Sequence, residues 1–502
     1  MLCGCTGLRD QDTRPSTRQA NPWPFNPVPI ESLRQSPRKI YAHWHVWPVA
    51  WDNQPEEAGM YNTGGLEPSG TGGRWNKCGG KIREKTLPEL QDRSDDWLKT
   101  NAETDVRLAS EAGLDGFVAN FNEPDGLFYK QLTALFEAAT EVAPGVSFIL
   151  SPNAYKHDPQ GYLDFVKRFE NHPATLRLDG KIAVSPWGAN NKKPVSYWKE
   201  FMDLCKADGV DVAFMPCTHA GLWKDEGAWV KEMAPYLYGL IDSATWKYPE
   251  DLTPEWSKKA HDLGIKLWMQ NIRPQHSRPK ANFYFETVGS EHLRLSWVMA
   301  IQKLRPDDWV HIFTYNDLSE SSGFRPSTAI QYSFYDLTAY YATWFKTGKR
   351  PAIVRDVLYY FHRQHSTEAQ PDPEYQKRKW TCNGGTPQDI IELLAFLKEP
   401  GTLQVEVGGK TYTQEAPAGI TSFKVPVAEG RPEFKLIRGN KTEIHTKSKW
   451  VISDEVVWEN YLYYGGSSSR ERDWTRLPAE PAGCELHLAL NQTWGPMNYD
   501  FS

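Results

Sequence analysis

From residue 39 onward, short apolar runs alternate with amphipathic helical stretches eight times over, and few folds accept that rhythm. The candidate strands are KIYAHWHVW (39–47), DGFVANF (115–121), VSFILSPN (146–153) and KIAVSPWG (181–188). They continue with VAFMPCTH (212–219), YGLIDSATW (238–246), IKLWMQNI (265–272) and WVHIFTYN (309–316). Helical stretches at 98–113, 129–143, 196–209 and 292–306 lie between them, several ending in Gly just before the next strand. Eight strands alternating with helices predict an α/β chain built as a (β/α)8 TIM barrel over 39–348. A doubly wound open sheet would want a Gly-rich phosphate loop after its first strand, and HWHVWPVAWD is not one.

The rest of the chain divides around that block. Residues 1–38 form a Pro-, Arg- and Ser-rich tail. A long Gly-rich insertion at 48–90 follows the first strand, as a cleft wall or as a variable surface loop. After a helix near 330–347, residues 349–387 read as a linker. Short alternating strands then predict a C-terminal β-sandwich over 388–502, which would either bind glycan or brace the barrel.

In a barrel, catalysis belongs at the C-terminal ends of strands, and this filters the carboxylates. Asp317 and Glu320 follow the eighth strand and pass; Asp242, late in the sixth, also passes. Glu123 and Asp125 follow the second more loosely, while Asp115 begins it and belongs at the opposite face. Cleavage of a glycosidic bond needs one carboxyl that keeps its proton and one that is ionised, and Asp317 with Glu320 could supply both. Asp-x-x-Glu is also a helix-capping signature, so the same residues could merely start a turn.

Polar and aromatic side chains at the other strand ends fit a sugar cleft. His43, His45 and His219 could bond hydroxyls, and three His also raise a metal site. The later strands offer only Asp242 and Asp317 as further ligands, so no metal and no cofactor are expected. Trp47, Trp187 and Trp246 could stack on sugar rings, and the chain is rich in such rings, with 21 Trp, 23 Tyr and 21 Phe. Asn120, Gln270 and Asn271 are polar groups late in apolar strands, where a wet cleft would satisfy them. Tyr315 and Asn316 flank the carboxylate pair and join the expected substrate-binding set.

Other classes find little support. Serine nucleophile elbows, P-loops and dinucleotide fingerprints are absent. A net charge of −6 argues against nucleic acid. Seven Cys without metal-like spacing indicate neither zinc nor a dense disulfide framework. Met-Leu-Cys-Gly-Cys at residues 1–5 matches the end of a lipoprotein signal, with Cys5 as the lipidated residue, although no basic and apolar stretch precedes it. The expectation is therefore an exported monomer: periplasmic, anchored to the outer membrane through Cys5, or secreted.

YAHWHVW, GLDGFVANF, SPWGA, WKYP and above all FTYNDLSESS resemble glycoside hydrolase family 71, the endo-α-1,3-glucanases or mutanases. The likeness spans about residues 39–345 and extends to the β-rich tail. It implies a (β/α)8 barrel, an inverting mechanism and a polysaccharide substrate. On that resemblance Asp317 and Glu320 are the essential pair, Asp317 as general base and Glu320 as general acid, and His43 and Asn120 line the cleft. Tyr315 stands where Trp is common, His45–Trp47 replaces a smaller segment, and the 48–90 insertion is long. The related endo-α-mannosidase barrels also carry two carboxylates three apart, which leaves α-mannan, another α-glycan or a non-catalytic glycan-binding barrel as alternatives.

Overall fold

The computed structural model of the chain describes residues 21–46, 79–87, 96–121, 125–153, 157–218, 227–242 and 255–470. The first strand, Ile40–His45, pairs in parallel with the second, Gly116–Phe121, and the second with the third, Ser147–Pro152. Leu150 registers with Val184 of the fourth, Lys181–Val184, which pairs with the fifth, Val212–Phe214. Pro216, which has no N–H to give a ladder, interrupts the fifth strand before it resumes as Cys217–Thr218. That segment pairs with the sixth, Gly239–Asp242, the sixth with the seventh, Leu267–Ile272, and the seventh with the eighth, Trp309–Ile312. A further parallel ladder joins Ile40 of the first strand to Val310 of the eighth. The result is a mixed α/β fold around one curled sheet.

Helices connect the strands and cover one face of the sheet. Trp97–Glu111, Gly126–Val142, Pro159–Phe169, Val195–Ala207 and Glu291–Lys303 each put an apolar stripe into the main core. Local chemistry sets their ends. Pro159 stands at the first turn of its helix, and the Gly161 N–H donates to the Asp158 carboxylate ahead of it at 2.7 Å. Helix Ser333–Thr347 stops at Gly348, whose φ of 68° suits a residue without a Cβ. Trp198, Trp268 and Trp297 are fully buried in this core, so much of the Trp excess serves packing. At the start of the strands, Asp115 accepts the Ile40 N–H at 2.7 Å and pairs with Lys346 at 2.6 Å, far from any chemistry.

The C-terminal part is β-rich. Val357–His362 lies between Ile390–Leu397 and Tyr464–Ser467 in one four-stranded sheet. Gly401–Val407 and Glu433–Arg438 are central in a second. Leu358 and Tyr360 face Leu403, Val405 and Phe434 across a cluster shared by the two sheets. Their alternates Val357, Tyr359 and Phe361 point the other way, into the main core. The stretch 349–387 is therefore no linker: it supplies a central strand, VLYYFH, all six residues of which are buried. Its polar, Pro-containing sequel masked that run in the sequence. Thr381–Cys382, also within this stretch, pairs with the strand Phe283–Phe285. Among the described residues no helix is long and apolar enough to cross a membrane.

Candidate active site

The alternation of side chains along each strand builds the floor of the site. On the face away from the helices, Tyr41, Val118, Ile149, Ala183, Met269 and Trp309 form an apolar cluster of their own. Two residues further along the same strands stand His43, Asn120, Ser151, Ser185, Asn271 and His311. A polar layer thus caps an apolar plug, and it lies at the strands' C-terminal ends. Asn120 registers with Ser151, and Asn271 with His311, on neighbouring strands. The Asn120 amide lies 3.3 Å from His43 Nε2. The His43 ring also sits 4.8 Å from His45, 5.5 Å from His311 and 5.3 Å from Phe313. Burial, then the neighbouring His45 and His311, push the His43 proton affinity well below the ordinary imidazole value, so it is neutral. Among the described residues, the Ser151 and Ser185 hydroxyls and the Asn271 amide are buried without a hydrogen-bond partner. Trp187 stacks on Phe313 at 4.8 Å as an aromatic wall beside this floor.

Beyond Ile312 the chain leaves the ladder and turns through Asp317. The Asp317 N–H donates to Thr314 Oγ1 at 2.9 Å. Its Oδ1 accepts the N–H groups of Ser319 (2.9 Å) and Glu320 (3.1 Å) and the Ser319 hydroxyl (3.0 Å). The capping alternative is therefore realised by one oxygen alone. The other, Oδ2, stays open toward His45 Nε2 at 3.6 Å. A carboxylate fixed through one oxygen and presented through the other is well placed to act on a bound molecule.

Glu320 is gripped from a hairpin, His276–Arg278 with Phe283–Phe285, that the strand rhythm did not reveal. Arg278 Nη2 lies 3.1 Å from Oε1 and His276 Nε2 3.4 Å from Oε2. These two side chains are alternate residues of one strand, and the Ser277 N–H between them donates to the Glu320 carbonyl at 2.9 Å. Burial, then the charge of Asp317, raise the Glu320 pKa to about 7 against the pull of Arg278, Lys81 and Lys192. His276, buried and beside Arg278, is pushed down to about 3 and is neutral. Burial likewise brings Lys192 down to about 8. Glu84, from the described end of the 48–90 insertion, is lifted by burial to about 7 and bonds to the Ser327 hydroxyl.

Two expectations need correction. Tyr315 points away from the cleft: it is fully buried in the main core between Phe117 and Phe324, with its hydroxyl 3.2 Å from Asp105 Oδ1. Phe313 still faces His43 and His311, and the chain turns after it, so that the Tyr315 ring enters the main core. Gln270 faces the helices, where it accepts the Trp268 indole N–H at 3.1 Å. Asn316 serves the loop: its side chain bonds both the N–H and the carbonyl of His45, at 2.8 and 3.0 Å. Trp47, Glu123, His219 and Trp246 lie outside the described residues, as does the side chain of Asp242, whose backbone registers with Thr218. His43, His45, Asn120, Trp187, Asn271, Asp317 and Glu320 are brought to one end of the sheet.

Sequence reasoning missed Lys81, Glu84, Lys192, His276 and Arg278. The signal for the last two was present as HSR and FYF flanking Pro-Lys-Ala-Asn, two short runs about a turn. Among the described residues no three His, Cys, Asp or Glu side chains converge as a metal site.

Residues 91–476 match the model of Glycosyl hydrolase family 71. The ascus wall endo-1,3-alpha-glucanase of Schizosaccharomyces pombe is 24% identical over 396 residues, which is 68% of this chain and 87% of that protein. Among solved structures, the GH99 endo-alpha-mannosidase of Bacteroides thetaiotaomicron aligns with 62% of this chain and 98% of its own, at 13% identity and a TM-score of 0.49.

Proposed function

Because the chain belongs to glycosyl hydrolase family 71, and is thus a glycoside hydrolase, we propose that it cleaves α-1,3-glucan internally by an inverting, two-carboxylate mechanism. Glu320 gives its proton to the glycosidic oxygen as the C1–O bond breaks and the bonding pair stays with that oxygen. Asp317 takes a proton from a water molecule whose oxygen bonds C1 from the opposite face. Each carboxyl is restored by proton exchange with solvent. The observation that carries the assignment is the contrast in environment. Glu320 is half-buried and raised to about 7, able to hold a proton near neutrality, while Asp317 is fixed through Oδ1 with Oδ2 open. The glucan assignment is supported by the similarity to the S. pombe wall glucanase, which also supports action outside the cell.

We place this site at the mouth of a (β/α)8 barrel braced by a C-terminal β-sandwich. The parallel ladders running from the first strand to the eighth and back support the barrel. The polar layer of His43, Asn120 and Asn271 then seats the sugar at the cleaved bond, with Trp187 against its apolar face.

Incubation with insoluble α-1,3-glucan, beside α-mannan and other α-glycans, tests the reading. Oligosaccharides from α-1,3-glucan, with the β-anomer first by proton NMR, are expected. Release from another glycan alone would move the specificity, and release from none would refute the proposal. The rate should also fall as pH rises through about 7, since the acid must be protonated and Glu320 loses its proton there. A flat kcat/KM between pH 6 and 9 would exclude Glu320 as the acid.

A further inference from the structure

The hairpin that grips Glu320 is itself held from the C-terminal β-rich region. Its second strand, Phe283–Phe285, pairs with Thr381–Cys382, and Tyr284 stacks on Tyr461 at 4.1 Å. Both feet of the hairpin are tied to the same place. At one foot, the Tyr463 N–H donates to Gln275 Oε1 at 2.9 Å. At the other, Glu286 accepts from the Tyr463 hydroxyl at 2.8 Å, the Gln388 N–H at 3.0 Å and Arg363 Nη2 at 2.9 Å. The Arg363 guanidinium lies 4.3 Å over the Tyr463 ring and 5.0 Å over Tyr284, and it bonds the carbonyls of Tyr461 and Gln388. Arg363 and Glu286 are both buried, so removing either partner would leave a charge in the interior.

We propose that the C-terminal β-rich region is a working part of the catalytic centre: through Arg363, Glu286 and Tyr463 it fixes the hairpin, and the hairpin fixes the Glu320 carboxylate. Arg363, Glu286 and Tyr463 are positioning residues, since none of them touches the carboxylate. His276 and Arg278 transmit the constraint. The proposal rests on the reading of Glu320 as the acid, but its geometry does not depend on which glycan is cut.

The ionisation of Glu320 reports the contact. The charged and titratable groups acting on it are Asp317 on its own loop, His276 and Arg278 on the hairpin, Lys192 after the fourth strand and Lys81 on the insertion. Arg278 favours the ionised form, so losing it should raise the midpoint. The test is titration of selectively 13C-labelled Glu side chains in the full chain, with Glu320→Gln identifying the resonance, beside the pH profile of hydrolysis. Arg278→Gln should move the Glu320 midpoint upward by about one unit. Tyr463→Phe, which keeps the ring, and Glu286→Gln should each move it in the same direction by part of that. Neither should add a further shift in the Arg278→Gln background. A midpoint unchanged in both Tyr463→Phe and Glu286→Gln, or shifts that add fully to that of Arg278→Gln, would overturn the proposal, whatever happens to the melting temperature. Because the titration uses no substrate, a chain that cleaves no glycan would fail the functional reading while the coupling of the hairpin to Glu320 is still read separately.

Discussion

Glu320→Gln is expected to slow hydrolysis of α-1,3-glucan by about 10²–10⁴-fold, the usual worth of a positioned general acid. The amide keeps the shape of the carboxyl and can still meet Arg278 and His276, but it has no proton to give the leaving oxygen. Asp317→Asn should cost a similar factor for a different reason. Its amide oxygen can still accept the Ser319 and Glu320 N–H groups that shape the turn, whereas the second position can no longer take a proton from water. The turn should survive, so melting temperature should barely move while the rate collapses. Initial rates from reducing-end release, with thermal unfolding as control, decide it. More than about a tenth of the wild-type rate in either variant would remove that residue from the chemistry.

Asp105→Ala should produce the largest loss of stability for a single side chain near the site, about 3–5 kcal/mol. Asp105 sits in helix Trp97–Glu111, buried. Its carboxylate accepts Arg325 Nε at 2.6 Å, the Tyr315 hydroxyl at 3.2 Å and the Trp44 indole N–H at 3.1 Å. One residue thereby ties a helix, the first strand and the return limb of the catalytic loop. Its removal takes a shared acceptor from three buried donors, Arg325, Tyr315 and Trp44, and buried polar groups that lose an acceptor are costly. Asp105→Asn keeps an acceptor and should lose less. Denaturant midpoints of the three proteins measure the order, and a loss under about 1 kcal/mol in the Ala variant would show that the cluster relaxes around the gap.

Much of the fold was legible because its period is regular. Alternation of two along the strands and an apolar stripe along the helices located the parallel strands of the curled sheet to within a few residues, and with them the end of the sheet that gathers the polar side chains; the short antiparallel strand Arg177–Leu178 escaped it. Asp317 and Glu320 could be picked out because they follow the last strand of that series. The failures have separate causes. Tyr315 was placed in the cleft because it flanks the carboxylate pair, but the chain turns after Phe313 and sends the Tyr315 ring into the main core. Gln270 and Asn271 are adjacent, and sequence cannot say which face of a strand buried on both sides looks inward; Trp268 decides it by bonding Gln270. His276 and Arg278 come from an excursion between the seventh and eighth strands, and only spatial closeness to Glu320 gives them a role. Val357–His362 was lost in polar surroundings although every one of its residues is buried.

That strand has a consequence for how the chain holds together. Its residues alternate between two apolar interiors: Leu358 and Tyr360 belong to one, Tyr359 and Phe361 to the other. Neither interior can be dissolved without stripping a face from a strand the other needs. Loss of order in one is therefore expected to propagate to the other, with a single unfolding transition in calorimetry as the outcome that checks it. The strand that a cut between the main core and the β-rich region would have to spare belongs to both.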